Sequence, residues 1–282
     1  MLHNKTIAVV IPAYNEEKQI VKVIRSMPDF VDRIVVVNDC STDNTAAVVE
    51  EFIHGDVVNY FNPLIAPVLV VPNDYNEADV VLQQIFADEI KYFVPSAIAN
   101  ARPENNRIIL INHLQNGGVG AAIARGYKWC KDNEIDCTAV MAGDGQMDPG
   151  ELESICTPVV TENIDYVKGN RLMHKSAKYV IPKQRRFGNS VLSIVTKLAS
   201  GYWRVSDTQT GYTAISLNAL KSVKLYRIYR RYGMPNDMLV KLNIAFCTLK
   251  EVKIKPIYNI GESSKMKVHK VIPRIAWLLF KS

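Results

Sequence analysis

Asp144 and Gln146 stand in the run Ala142-Gly143-Asp144-Gly145-Gln146, directly after an otherwise apolar stretch. A carboxylate and an amide oxygen two positions apart can face one hard cation. Mg²⁺ takes few protein oxygens and completes its shell with substrate phosphates. Asp148 is either a further ligand or the cap of a helix opening at Pro149; the cap is favoured, since Pro suits a first helical turn. Asp39, in Asn38-Asp39-Cys40-Ser41-Thr42-Asp43, can accept from the N–H edge of a nucleobase, or it can cap the helix that follows. Ser41 or Thr42 can cap in its place.

Asn116-Gly117-Gly118-Val119-Gly120 precedes a helix. Glycine lets the backbone approach a ligand there, and a helix N-terminus favours anions; a plain glycine turn is the alternative. The run is not a dinucleotide fingerprint, because that belongs to the first strand–helix turn, here Pro12-Ala13-Tyr14-Asn15-Glu16. Arg171, Arg185 and Arg186 offer guanidinium forks to phosphate, against the plainer reading of solvated surface arginine. Asp237 is either a general base for a hydroxyl acceptor or an acidic residue placed by the dipole at a helix start. His54, His113, His174 and His269 lack metal-ligand spacing and are assigned no role.

A frame must bring these residues together. Ile7 to Ile11 and Ile34 to Val37 are short β-branched runs that read as buried strands. Glu16 to Met27 and Thr45 to Phe52 read as helices. Strand, helix, strand, helix implies a parallel sheet with right-handed crossovers. From Val57 to Asn106 five prolines and one helix near Glu77 to Tyr92 interrupt the rhythm, which reads as an insertion. The pattern resumes with strand Ile108 to Ile111, helix Ala121 to Cys130, strand Thr138 to Ala142, a helix from Pro149 and a strand ending Val167 to Gly169. Helices Asn189 to Ser200 and Asn236 to Ala245 and strand Glu251 to Ile254 follow. Ligands of such sheets bind outside the carboxyl ends of the strands, where the polar clusters fall.

The chain has 282 residues, 48% of them hydrophobic and 22% charged, an ordinary globular composition with net charge +6. That basic excess suits anionic ligands or an anionic membrane surface. No basic stripe with interleaved aromatics points to nucleic acid. Five cysteines without C-x-x-C spacing read as reduced cytosolic thiols. No signal peptide is recognised, and no apolar run reaches the ~18 residues of a membrane span. The basic stretch from Lys265 to Arg274 and the apolar run from Ile275 to Phe280 suggest an interfacial helix or a truncated membrane segment.

Together the clusters resemble the family 2 glycosyltransferases of the GT-A fold. The resemblance is closest to the branch of dolichol-phosphate mannose synthase and the polyprenyl-phosphate sugar synthases. It covers Thr6 to Phe52 and Arg107 to about Lys267. Its motifs are V-V-I-P-A-Y-N-E at 9–16, V-V-V-N-D-C-S-T-D at 35–43, N-G-G-V-G-A-A at 116–122, A-G-D-G-Q-M-D-P at 142–149, K-G-N-R at 168–171, D-T-Q-T-G-Y at 207–212 and G-E-S-S-K at 261–265.

The resemblance implies one GT-A catalytic domain over 1–267, with the insertion at about 57–106 and a tail at 268–282. It implies a mostly parallel α/β sheet flanked by helices. By it, Pro12, Ala13, Tyr14 and Glu16 line a nucleotide pocket with Gly118, and Asp39 meets the base. Asp144 and Gln146 hold Mg²⁺ or Mn²⁺ and the donor diphosphate, Arg171 meets phosphate, and Ser264 and Lys265 close over the donor. Asp207, Gln209 and Gly211 shape the acceptor side, to which Arg185 and Asn189 are also assigned. Two features depart from the family pattern: Ala142 replaces the first carboxylate of the usual D-x-D, and the insertion has no counterpart in compact members.

The implied reaction is inverting transfer from a UDP- or GDP-linked sugar to polyprenyl or dolichyl phosphate, by a protein touching the cytoplasmic face of the membrane. A saccharide hydroxyl is the alternative acceptor, and would call on Asp237 as base. A non-catalytic nucleotide-sugar-binding protein is the alternative of another class. A nucleotidyltransferase is disfavoured, since Pro-Ala-Tyr-Asn-Glu is not the basic glycine-rich loop such enzymes carry after the first strand.

Overall fold

Ile7–Ala13 (β1) is β-branched at Ile7, Val9, Val10 and Ile11 and apolar throughout, and its residues are buried nearly without a break. Such a strand has to be covered on both faces, as the inner strands of a parallel sheet are. The computed structural model describes residues 1–55 and 70–257; for 54–55, 183–189 and 191 it describes the backbone only. The chain continues through α1 (Ile20–Arg25), β2 (Arg33–Asn38), α2 (Thr45–Gly55), α3 (Glu77–Asp88) and β3 (Ser96–Ile98). Then come β4 (Ile108–His113), α4 (Val119–Asp132), β5 (Cys137–Val140), α5 (Leu152–Thr161) and β6 (Tyr166–Asn170). The last described elements are α6 (Ala177–Val180), α7 (Lys183–Ser200), β7 (Thr213–Ser216), α8 (Leu217–Ser222), α9 (Met234–Ile244) and β8 (Leu249–Lys253).

The described strands form one eight-stranded sheet in the order β3-β4-β2-β1-β5-β7-β6-β8. β4, β2, β1 and β5 are parallel, as are β6 and β8. β7 runs antiparallel between β5 and β6. Strand alternation sorts the core into two layers. Ala8 and Val10 of β1, with Val35 and Val37 of β2, pack with Tyr127 and Ile123 of α4 and Leu239 of α9. Ile7, Val9 and Ile11 pack on the other face, with Ile20 and Ile24 of α1 and Leu152 and Ile155 of α5.

Three local features differ from the sequence expectation. α1 begins at Ile20 rather than Glu16, because the amides just before it bond outward: Glu16 N–H donates to Thr45 Oγ1 (2.9 Å) and Glu17 N–H to Asp43 Oδ2 (3.2 Å). β7 was not expected, being four residues long with no apolar alternation to announce it. The cap of α2 involves neither Ser41 nor Thr42: Asp43 Oδ1 accepts Thr45 N–H at 3.0 Å. The five cysteines stand unpaired, four of them buried. Among the described residues no helix is long and apolar enough to cross a membrane. The tail after 257 lies outside them.

The segment expected as an insertion is joined to the sheet. Its end forms β3, antiparallel to β4 in the register Ser96↔His113 to Ile98↔Ile111. α3 buries none of its residues. The segment after it is anchored on α4, where Lys131 Nζ meets Glu89 Oε2 at 2.5 Å and lies 4.5 Å from the centre of the Phe86 ring. Both partners of the pair are largely buried. Removing one partner of such a pair costs about 3 kcal/mol or more, because the other charge stays buried and uncompensated. Lys131→Ala is expected to lower stability to denaturant by about that amount and to speed limited proteolysis between residues 70 and 94. Unchanged cleavage there would show that the insertion is held elsewhere.

Candidate donor and acceptor site

Register brings the polar clusters into one row. Ala13, the last residue of β1, is level with Asn38 of β2, and Asn38 is level with Asn112 of β4. The loops opening at Tyr14, Asp39 and His113 therefore leave the sheet side by side. Gly143 sits beside Pro12, close enough that a Cβ there would lie 3.4 Å from the Pro12 carbonyl oxygen. The Asp144 loop thus joins the same row. A cavity of about 710 Å³ lined by Val21, Ile24, Arg25, Phe52 and Arg107 also touches Ile34 and Ile108, at the opposite ends of β2 and β4. Distance from the polar row removes it as the site.

The first two loops are stitched together. Asn15 N–H donates to Ser41 Oγ (3.0 Å), and Thr42 N–H to Asn15 Oδ1 (2.8 Å). Asp39 is 3% exposed. Its Oδ1 accepts Gly117 N–H (2.7 Å) and lies 2.7 Å from His113 Nδ1, while its Oδ2 accepts Gly118 N–H (2.7 Å). A carboxylate only accepts, so His113 Nδ1 is the donor. Burial alone would raise the Asp39 pKa. Bonds from His113, Gly117 and Gly118 outweigh it and hold the carboxyl below its ordinary value.

This geometry revises the reading of the glycine turn. The anion at this helix N-terminus is Asp39 itself. Gly120 N–H and Ala121 N–H both donate to the Arg230 carbonyl, at 2.9 and 3.3 Å. A Cβ on Gly118, whose φ is +90°, would meet that same carbonyl at 2.5 Å. What demands glycine here is the neighbouring chain at 229–231, and the Gly118 amide is occupied by Asp39. The expected ligand approach at Gly118 gains no support.

Asp144 is half-buried, and its Oδ1 accepts Gln146 N–H at 3.0 Å. Asp148 is a cap, accepting Gly150 N–H at 2.9 Å and the Lys255 ammonium at 3.0 Å. Among the described residues no three His, Cys, Asp or Glu converge to hold a metal. A hard cation at Asp144 would accordingly depend on ligand oxygens, which suits Mg²⁺ or Mn²⁺ on a diphosphate.

Arg171 and Asp207, both expected at the site, are partners. Arg171 Nε and Nη2 bond Asp207 Oδ2 and Oδ1 at 2.8 and 2.9 Å, and the Arg171 amide adds a third bond. Burial works to raise the Asp207 pKa; Arg171, and then Lys168, more than reverse it. Burial pushes the Lys168 ammonium down to about 8, against the pull of Asp207, and Lys168 Nζ donates to the Thr210 carbonyl. Gln209 Nε2 donates to Asn236 Oδ1 at 3.2 Å. The Asp237 carboxylate accepts Tyr229 N–H at 2.7 Å and is paired with Lys241. That occupancy matches the structural reading of Asp237 better than a base facing an acceptor. Arg185 and Asn189 lie in the first turns of α7, where side chains are not described, and Ser264 and Lys265 lie outside the described residues.

Sequence reasoning passed over His113 and Glu251. His113 becomes visible once the carboxyl ends of β2 and β4 are aligned. Glu251 of β8 accepts the amides of Ser206 (3.1 Å) and Asp207 (3.0 Å) and the amide side chain of Asn170 (2.8 Å). It thereby fixes the segment carrying Asp207; nothing in its own sequence neighbourhood signals this.

The model of glycosyl transferase family 2 matches residues 8–66 and 88–224. The chain belongs to that family. The stretch the match skips, 67–87, lies within the span 57–106 expected as an insertion. A UDP-N-acetylglucosamine–dolichyl-phosphate N-acetylglucosaminyltransferase of Methanococcus voltae is 30% identical over 262 residues, 91% of this chain and 87% of the relative. A dolichyl-phosphate beta-glucosyltransferase of Trichomonas vaginalis is 24% identical, over 94% of this chain and 69% of the relative. Glucosyl-3-phosphoglycerate synthase of Mycobacterium tuberculosis shares the fold with a TM-score of 0.57 at 17% identity, over 98% of this chain and 78% of that one. The same enzyme has been crystallised with Mn²⁺, UDP and phosphoglyceric acid. This family 2 glycosyltransferase thus carries the expected GT-A fold.

Asp39 gives the site a titration signature. A carboxyl whose folded pKa is depressed adds stability that is complete above its unfolded value, about 3.9, and is lost as pH falls through the folded value. Asp39→Asn is expected to cost about 2 kcal/mol at pH 7. The gap from the parent should narrow as urea unfolding is repeated toward pH 3. A gap independent of pH would mean that Asp39 is not held as a carboxylate.

Proposed function

We propose that this glycosyltransferase moves a sugar from a UDP- or GDP-linked donor to a polyprenyl or dolichyl phosphate, with inversion, at the cytoplasmic face of a membrane. The observation carrying this reading is the 30% identity, over 91% of the chain, to a relative named for dolichyl phosphate as acceptor. The geometry supports it from a second side. A phosphate acceptor is already anionic near neutral pH and needs no general base, and the Asp237 carboxylate is engaged with Tyr229 N–H and Lys241.

In this reading Pro12, Ala13, Tyr14 and Glu16 flank the nucleotide, and Asp39 meets its base through the lone pairs left by its internal bonds. Asp144 and Gln146 would hold Mg²⁺ or Mn²⁺, which when bound stabilises the charge growing on the departing diphosphate. An acceptor phosphate oxygen forms a bond to the anomeric carbon as the bond from that carbon to the donor diphosphate breaks. The bonding electrons leave with the nucleoside diphosphate. Arg171, held by Asp207, keeps a fixed guanidinium near β6, where it can meet phosphate. Arg185 and Asn189 on the acceptor side, Gln209 beside Asn236, and Lys265 over the donor complete the assignment.

Purified protein incubated with labelled UDP- or GDP-sugar, a polyprenyl phosphate and Mn²⁺ should yield a lipid-linked sugar that mild acid releases. Label appearing only on a saccharide hydroxyl, with no acid-labile lipid product, would overturn the proposal.

A further inference from the structure

Residues 228–233 cross the glycine turn as a strap. The Arg230 carbonyl takes the amides of Gly120 and Ala121. A Cβ on Gly120 would strike the Tyr229 carbonyl, so strap and turn are in direct backbone contact. Tyr229 N–H donates to Asp237 Oδ2 at 2.7 Å, and Asp237 is itself paired with Lys241 one turn along α9. Asp237 is 2% exposed and Lys241 stands at the surface end of the pair.

The other side of the same turn is braced by the insertion. A Cβ on Gly117 would lie 2.7 Å from Val94 Cγ2, at the end of the segment that leads out of α3. Tyr92 packs at a tilt and Phe93 edge-on against Tyr226, just before the strap, with ring centres 5.0 and 6.4 Å from it. Strap and insertion thus clamp the two glycine amides that bond the Asp39 carboxylate.

We infer that Asp237 is a positioning residue for donor binding: through Tyr229 it keeps the strap on the glycine turn, and the turn sets where the Asp39 carboxylate presents its remaining lone pairs to the nucleobase. The inference rests on the proposed contact between Asp39 and the base. It gives Asp237 no proton to move. Loss of its side chain should therefore misplace the donor and leave the chemical step intact once donor is saturating.

Steady-state kinetics of Asp237→Ala, Gly120→Ala and Asp39→Asn test this, with far-UV circular dichroism as the check on folding. Gly120→Ala pushes the strap away from the opposite side, so it tests the same coupling even if Asp237→Ala fails to fold. Asp237→Ala and Gly120→Ala are each expected to raise donor KM about tenfold, with kcat within about threefold of the parent. A loss of kcat of about a hundredfold in Asp237→Ala at unchanged donor KM is the pattern of a missing base, and would overturn the inference. So would donor KM values that stay at the parent's in both variants while Asp39→Asn weakens donor binding; the Asp39 reading then survives alone. Unchanged donor affinity in Asp39→Asn would overturn the Asp39 reading and the inference with it.

Discussion

A buried carboxylate that must find hydrogen bonds organises this end of the sheet. Asp39 leaves β2 almost without solvent, and an ionised carboxylate in that position is tolerated only if it is bonded. The glycine turn before α4 and the imidazole at the end of β4 supply those bonds. Each buried donor left unmatched would cost about 1–3 kcal/mol, so the positions of β2, β4 and α4 are mutually fixed. The Gly117 and Gly118 amides face Asp39, while Gly118 and Gly120 abut the segment 229–231 where a side chain would stand, and only glycine admits both neighbours.

The cluster around Asp207 obeys a related rule with different partners. Asp207 is buried between Arg171 and Lys168, and its backbone is tied to Glu251. Positive and negative groups alternate through this cluster, so neither sign is left alone in low dielectric. Asp144 contrasts with both carboxylates. It is more exposed than Asp39 or Asp207, and its local bond to Gln146 N–H shapes its own loop. Asp39 and Asp207 are thus fixed by several partners drawn from distant segments, while the printed bond of Asp144 lies within its own loop.

The sheet was legible where strands are long and β-branched, as in β1, β2 and β4, because burial on both faces demands a continuous apolar run. β7 was not, since Thr213–Ser216 is short and gains its place by pairing with β5 and β6. The late start of α1 could not be read either, because it follows from amides bonding to residues some 26 to 29 positions away. Residue types at strand ends singled out Asp39, Asp144 and Arg171 as candidates, and the family resemblance added Asp207. Their partners did not follow from type: a lone His without metal spacing proved to hold Asp39, and two residues assigned separate ligands, Arg171 and Asp207, bond each other. Asp237 had two readings on the sequence, and its bonds to Tyr229 N–H and Lys241, neither legible there, favour the structural one.

The central claim is that the Asp144 carboxylate, beyond the end of β5, holds the donor diphosphate together with a divalent cation. Thermal unfolding of the parent and of Asp144→Ala, each with UDP- and GDP-sugars in the presence and absence of Mn²⁺, tests it directly. At a donor concentration 100 times its Kd the parent should gain about 2.7 kcal/mol. The account predicts that this gain requires Mn²⁺ and disappears in Asp144→Ala. An equal, Mn²⁺-dependent gain in Asp144→Ala would contradict it.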